Sequence, residues 1–85
     1  MPSKTVTVGS AVGLHARPAA VIAAAAGEVE ADVQIALAGG DPVDASSSLM
    51  IMTLGAGAGA EVTVESDNAE AVEKIAALIE QDLDA

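Results

Sequence analysis

The chain has 85 residues, with 13 Asp and Glu against three Lys and Arg and a formal charge of −10 when its single histidine is neutral. That length predicts one domain, residues 1–85, with a thin stability margin, and the acidic balance argues against nucleic acid as a partner, since phosphate-backbone binding depends on clustered Lys and Arg. Without cysteine there is no disulfide framework or thiolate site, one histidine argues against a metal centre, and no apolar run approaches the roughly 20 residues of a membrane span; a soluble, cytoplasmic chain is expected.

Thr5-Val6-Thr7-Val8 alternates at period two and Gly9 ends the run, which predicts a first strand over 3–8. From Ala16 to Ala26 the chain is nearly all alanine with Val21 and Ile22, a strong helix former that Gly27 is expected to stop. His15 then falls in the N-cap region and Pro18 in the first turn, where a missing amide hydrogen costs little. Val33, Ile35 and Leu37 alternate as a second strand. Gly39-Gly40 turns into a short third segment, Asp41-Pro42-Val43, which Pro42 confines to a sheet edge.

Ser46, Ser47 and Ser48 are all able to cap a short helix reaching about Thr53. The alternating Gly and Ala of 55–60 predict a loop, with neither the Gly-Lys-Ser/Thr ending nor the preceding strand of a nucleotide-binding P-loop. Glu61 to Glu65 reads as a fourth strand with Val62 and Val64 on one face. Asp67 and Glu70 fit a capping box, and Val72, Ile75, Ile79 and Leu83, helped by Ala76 and Leu78, make the apolar stripe of a third helix. The order β-α-β-β-α-β-α predicts an α+β domain with helices covering one face of a single sheet. With no Phe, Tyr or Trp, its interior must be built from Val, Ile, Leu, Met and Ala in closely packed layers.

Every carboxylate lies at Glu28 or later, so the first 27 residues carry only Lys4 and Arg17. His15 and Arg17 therefore make a local positive site in an acidic molecule, suited to a small anion. A helix start opposes a cationic ring and stabilises an anion carried on it, and a guanidinium beside the same amides suits phosphate oxygens. A phosphoryl group on His15 meets both demands; the plainer alternative is a capping histidine beside a solvated arginine.

The run Gly13-Leu14-His15-Ala16-Arg17-Pro18-Ala19 resembles the active-site motif of the histidine-containing phosphocarrier (HPr) family of the bacterial sugar phosphotransferase system. Ser47 through Gly55 is similar to that family's second-helix signature. The resemblance implies an open-faced β-sandwich, a four-stranded antiparallel sheet of order 1-4-2-3 covered on one face by three helices. It implies a monomer without cofactor or metal that is not itself a catalyst. It also implies that enzyme I, charged from phosphoenolpyruvate, would phosphorylate His15 at Nδ1, and that the group would then pass to a sugar-specific IIA component. The amides of Ala16 and Arg17, with the Arg17 side chain, would hold the phosphoryl group only modestly, leaving the ring open to in-line attack from either partner.

By the same resemblance Ser47 is a candidate for regulatory phosphorylation by a serine kinase, although Ser46 stands where such relatives commonly carry lysine. Ala20, Leu49 and Met52 are candidates for the docking surface, Leu49 and Met52 sharing one face of the second helix, with Ile51 and Leu54 assigned to the core. Ala24, Gly27 and Met50 occupy places where some relatives have lysines, which leaves Arg17 as nearly all of the local positive charge. Two other readings fit parts of the pattern: an HPr-like regulatory phosphoprotein uncoupled from transport, and an acyl-carrier-like helical bundle modified at Ser48.

Overall fold

The computed structural model describes residues 2–11, 13–29 and 31–81. Its elements run β1 (Ser3–Thr7), α1 (Ala16–Glu28), β2 (Val33–Leu37), β3 (Val43–Asp44), α2 (Ser48–Thr53), β4 (Glu61–Ser66) and α3 (Ala69–Glu80). The strands form one antiparallel sheet in the order β1-β4-β2-β3, as the resemblance implied. That sheet rules out an acyl-carrier-like helical bundle.

The register explains the sequence pattern. Val6, Val62 and Leu37 lie across one row, and Lys4, Val64, Ile35 and Val43 across the next row of the same face. Both rows turn toward the helices, where Ile35, Val62 and Val64 meet Ile22, Ile51, Ile75 and Ile79 in a fully buried core. Each such side chain contributes about 1.5–3 kcal/mol on burial. Lys4 sits in this inward set at the sheet edge, and its Nζ reaches Glu73 Oε2 on α3 at 3.0 Å. The hydrogen bond to Glu73 and the carboxylate charge behind it raise the Lys4 ammonium above its ordinary 10.5. The intervening rows face away from the helices, and there the Thr5 and Thr63 hydroxyls meet at 2.9 Å.

α3 buries Val72, Ile75, Ala76 and Ile79 as its spacing predicts, with Leu78 half-buried; Leu83 lies outside the described residues. α1 buries only Pro18, Ala19, Ile22 and Ala26 and leaves a broad outer side free. α2 packs against α1 and β3. Met52 and Gly55 lie beside His15, whereas Ser46 shares a hollow with Ala26 and Gly27, so the two helices run antiparallel.

Several boundaries differ from the sequence reading. β1 ends at Thr7, because Val8 turns out of the ladder to exchange hydrogen bonds with the α2–β4 loop, its amide donating to Ala60 O at 2.8 Å and its carbonyl accepting from Gly59 N at 3.1 Å. α1 does not stop at Gly27. The helix runs through it to Glu28 and ends where Val29 turns extended (φ −79°, ψ 145°) and packs half-buried against the core. The third strand is Val43–Asp44, with Pro42 just ahead of the paired residues. Asn68, not Asp67, caps α3, its side-chain oxygen accepting from the Glu70 and Ala71 amides at 2.9 and 3.3 Å. Ser66 Oγ accepts from the Asn68 amide at 3.2 Å and holds that cap in place.

Candidate functional site

The loop from β1 to α1 is fixed at both sides before it delivers His15. Gly9 N donates to Ile79 O at 3.0 Å, which ties the loop to the end of α3. Gly13 has φ +74° and lies so close to the Ala56 carbonyl and Gly57 that a Cβ would collide with both; only glycine meets both conditions without strain. The next residue, Leu14, is buried, and its amide donates to Ala56 O at 2.9 Å. With Leu14 anchored inward, the following side chain is turned to solvent.

That side chain is His15, the N-cap of α1 (φ −93°, ψ −162°), exposed and making no cap hydrogen bond. Its carbonyl accepts the first helical bond, from Ala19 N at 2.8 Å. The amides of Ala16 and Arg17 have no carbonyl of their own helix to reach, and Pro18 supplies none. The first turn therefore offers two outward N–H groups next to an imidazole free on its solvent side. Arg17 is exposed and in no ion pair, the pair among the described residues being Lys4–Glu73. Leu14, His15, Met52, Gly55, Ala56 and Gly57 line a shallow hollow of about 200 Å³.

The other predicted residues fall around this point. Ala20 is exposed on α1, and Leu49 is 67% exposed on α2. Met52 is half-buried and walls the His15 hollow. Ile51 is core, and Leu54 packs half-buried against it. Of the three candidate caps, Ser47 is used: its Oγ accepts from Met50 N at 3.3 Å. Ser46 is taken by Asp44, whose Oδ1 accepts from the Ser46 amide and hydroxyl at 2.9 and 2.7 Å, and these bonds hold the Asp44 carboxyl below its ordinary 3.8. The sequence reading left two exposed apolar side chains out of the docking set, Val21 at 39% and Met50 at 41%. Val21 was legible as the residue one turn after Arg17 on the same helix face.

Charge is unevenly distributed along the chain. Residues 45–60 contain no ionisable side chain, and residues before Glu28 contain no carboxylate. α1 itself is charged against its dipole, with cationic Arg17 in the first turn, Glu28 last, and no basic residue in the last turn. At exposed helix ends each such placement costs about 0.3–1 kcal/mol.

Comparison with known proteins gives the family and matches the fold. A family model described as the PTS HPr component phosphorylation site matches residues 2–81. The chain is 44% identical over 87 aligned positions to phosphocarrier protein HPr of Streptomyces coelicolor, covering 99% of this chain and 94% of the relative. Among solved structures, HPr of Bacillus anthracis superposes with a TM-score of 0.85 at 36% identity, covering 92% of this chain and 95% of the other. HPr-C-His of Thermoanaerobacter tengcongensis gives 0.88 at 28% identity, covering 100% and 98%.

Proposed function

The chain belongs to the HPr family of phosphocarriers, and on that premise we propose that His15 takes a phosphoryl group from phospho-enzyme I and hands it to IIA components of sugar transporters. The observation that carries this reading is an exposed imidazole at the N-cap of α1, followed by two first-turn amides with no partner in their own helix and by exposed Arg17, which is in no ion pair among the described residues. In the forward step the Nδ1 lone pair attacks phosphorus in line. The bond from phosphorus to the donor breaks as the bond to Nδ1 forms, and the Ala16 and Arg17 amides with the Arg17 side chain receive charge from the phosphoryl oxygens. The return step is the same displacement with IIA as acceptor. Modest stabilisation suits a carrier, because a phosphoryl group held too tightly is not released, so the chain acts as a single carrier domain and catalysis belongs to its complexes.

The docking surface in this reading is the outer side of α1 and α2, with Ala20, Leu49 and Met52 joined by Val21 and Met50. One adaptable apolar surface, rich in methionine, suits successive partners. Phosphorylation of Ser47 would place about two negative charges beside Leu49 and Met50 and oppose docking. The cytoplasm, where phosphoenolpyruvate is made, is the compartment that fits. Incubation with enzyme I and phosphoenolpyruvate should give acid-labile phosphate mapping to His15. His15→Ala should keep the parent's circular dichroism and accept none; phosphate retained by that variant would refute the assignment.

A further inference from the structure

Arg17 and Glu28 stand eleven residues apart on α1, roughly 16 Å along its axis. With 3.6 residues per turn they share one narrow stripe with Val21 and Ala24, and all four are exposed. The stripe therefore runs from a cation through apolar surface to an anion. Both charged residues oppose the helix dipole and neither is in an ion pair among the described residues. A local rule broken without compensation marks a functional position. Arg17 has its reason in the phosphoryl group, whereas Glu28 has none among the described residues. Asp32 adds a second carboxylate at that end, lining a hollow with Ala26 and Gly27. Between the ends Val21, Leu49 and Met50 are exposed and α2 carries no charge.

We propose that this face is an oriented docking strip whose far end is Glu28, and that the protein delivering the phosphoryl group presents to it a Lys or Arg side chain roughly 20 Å from the group transferred to His15, with apolar surface between. The proposal rests on the carrier reading above and adds the chemistry of the partner. Charge complementarity at both ends fixes the direction of docking. With the partner reversed, its cation meets Arg17 and its phosphoryl group meets Glu28, and both contacts are repulsive.

The test is equilibrium binding to enzyme I of the same cell, without phosphoenolpyruvate, for the parent, Glu28→Gln and Glu28→Lys, with thermal unfolding of each. Glu28→Gln is expected to weaken binding roughly three- to tenfold at low salt and Glu28→Lys further, the differences closing near 1 M salt. The melting temperature of Glu28→Gln should equal or exceed the parent's, since a like charge leaves the negative end of α1. Opposite signs in binding and stability are what a structural role does not produce. Unchanged or tighter binding by both variants overturns the proposal, as does a binding loss matched by a stability loss, or a parent that does not bind enzyme I. Phosphate on His15 of the parent judges the carrier reading separately, so that reading can stand while the Glu28 contact falls.

Discussion

Replacing Gly13 by alanine should be the most damaging single-methyl change in a short series of glycine substitutions. Its φ of +74° costs an L-residue about 1–2 kcal/mol. The added Cβ would also strike the Ala56 carbonyl and lie 2.7 Å from Gly57 Cα, and because both are backbone the loop must shift, at about 1–3 kcal/mol. The expected loss of about 2–5 kcal/mol is a large part of the roughly 4–13 kcal/mol available to a domain of this size. Gly55→Ala meets the φ term alone, since φ is +67° with nothing within 4 Å, and should lose about 1–2 kcal/mol. Gly27→Ala, in the last turn of α1 with open space around it, should gain about 0.5–1 kcal/mol. Urea unfolding followed by far-ultraviolet circular dichroism is the assay, tryptophan fluorescence being absent. The reasoning is refuted if Gly13→Ala proves as stable as Gly55→Ala. Phosphoryl uptake should also slow in Gly13→Ala under folding conditions, because the displaced Leu14–Ala56 bond orients His15.

Arg17→Ala should slow transfer roughly 10- to 150-fold, as loss of one charge-assisted contact of about 1.5–3 kcal/mol in the transition state would, with no loss of stability; parent-like kinetics at low and physiological salt would remove its role. Ser47→Asp keeps an N-cap acceptor, so stability should move by less than about 0.5 kcal/mol while transfer to His15 slows, and equal transfer rates across concentrations would return Ser47 to a purely capping role. The Asp44 carboxyl is held below 3.8 by Ser46, so its stabilisation is complete above that value and disappears as pH falls through the lower folded-state value. Asp44→Asn should therefore be less stable than the parent at neutral pH, by under about 1 kcal/mol for an exposed group, and the gap should close in acid; a gap constant down to pH ~2 would contradict the Ser46 contact.

What could be read from the sequence was whatever rested on a repeated pattern. Val33, Ile35 and Leu37 alternate over a strand with the expected ends, and the α3 stripe keeps its spacing from Val72 to Ile79. Single-residue signals fared worse because neighbouring side chains and tertiary contacts override them. Gly27 reads as a stop, yet an alanine-rich helix tolerates one glycine in its last turn, and the real stop is Val29 packing on the core. Asp67 and Asn68 are both good caps, and Ser66 settles the choice from two residues away, its Oγ accepting from the Asn68 amide, a competition among neighbouring side chains that a capping-box match does not resolve. At the site, the motif around His15 was legible, whereas the docking side was only partly so. Exposure of Val21 and Met50 depends on how α1 and α2 pack, and Glu28 acquires meaning only when seen on the same stripe as Arg17.

The strand order has a consequence for synthesis. β4 lies between β1 and β2, with Ser3 opposite Glu65 and Val33 opposite Ser66. A nascent chain that has not yet extended past Glu61 therefore has no partner for β1. Among the described residues the ladder left to it is the short β2–β3 pairing at Gln34–Asp44 and Ile35–Val43, too little to hold a sheet in water. Closing so long a loop must precede the reward of the long-range contacts, which places this domain among folds whose rate is limited by topology. The loop carrying His15 takes its shape from Ala56, Ala60 and Ile79, all made after the histidine itself. The residue made early is thus organised last, and a ribosome-bound fragment lacking β4 and α3 should present His15 on an unfolded chain that its partners do not recognise.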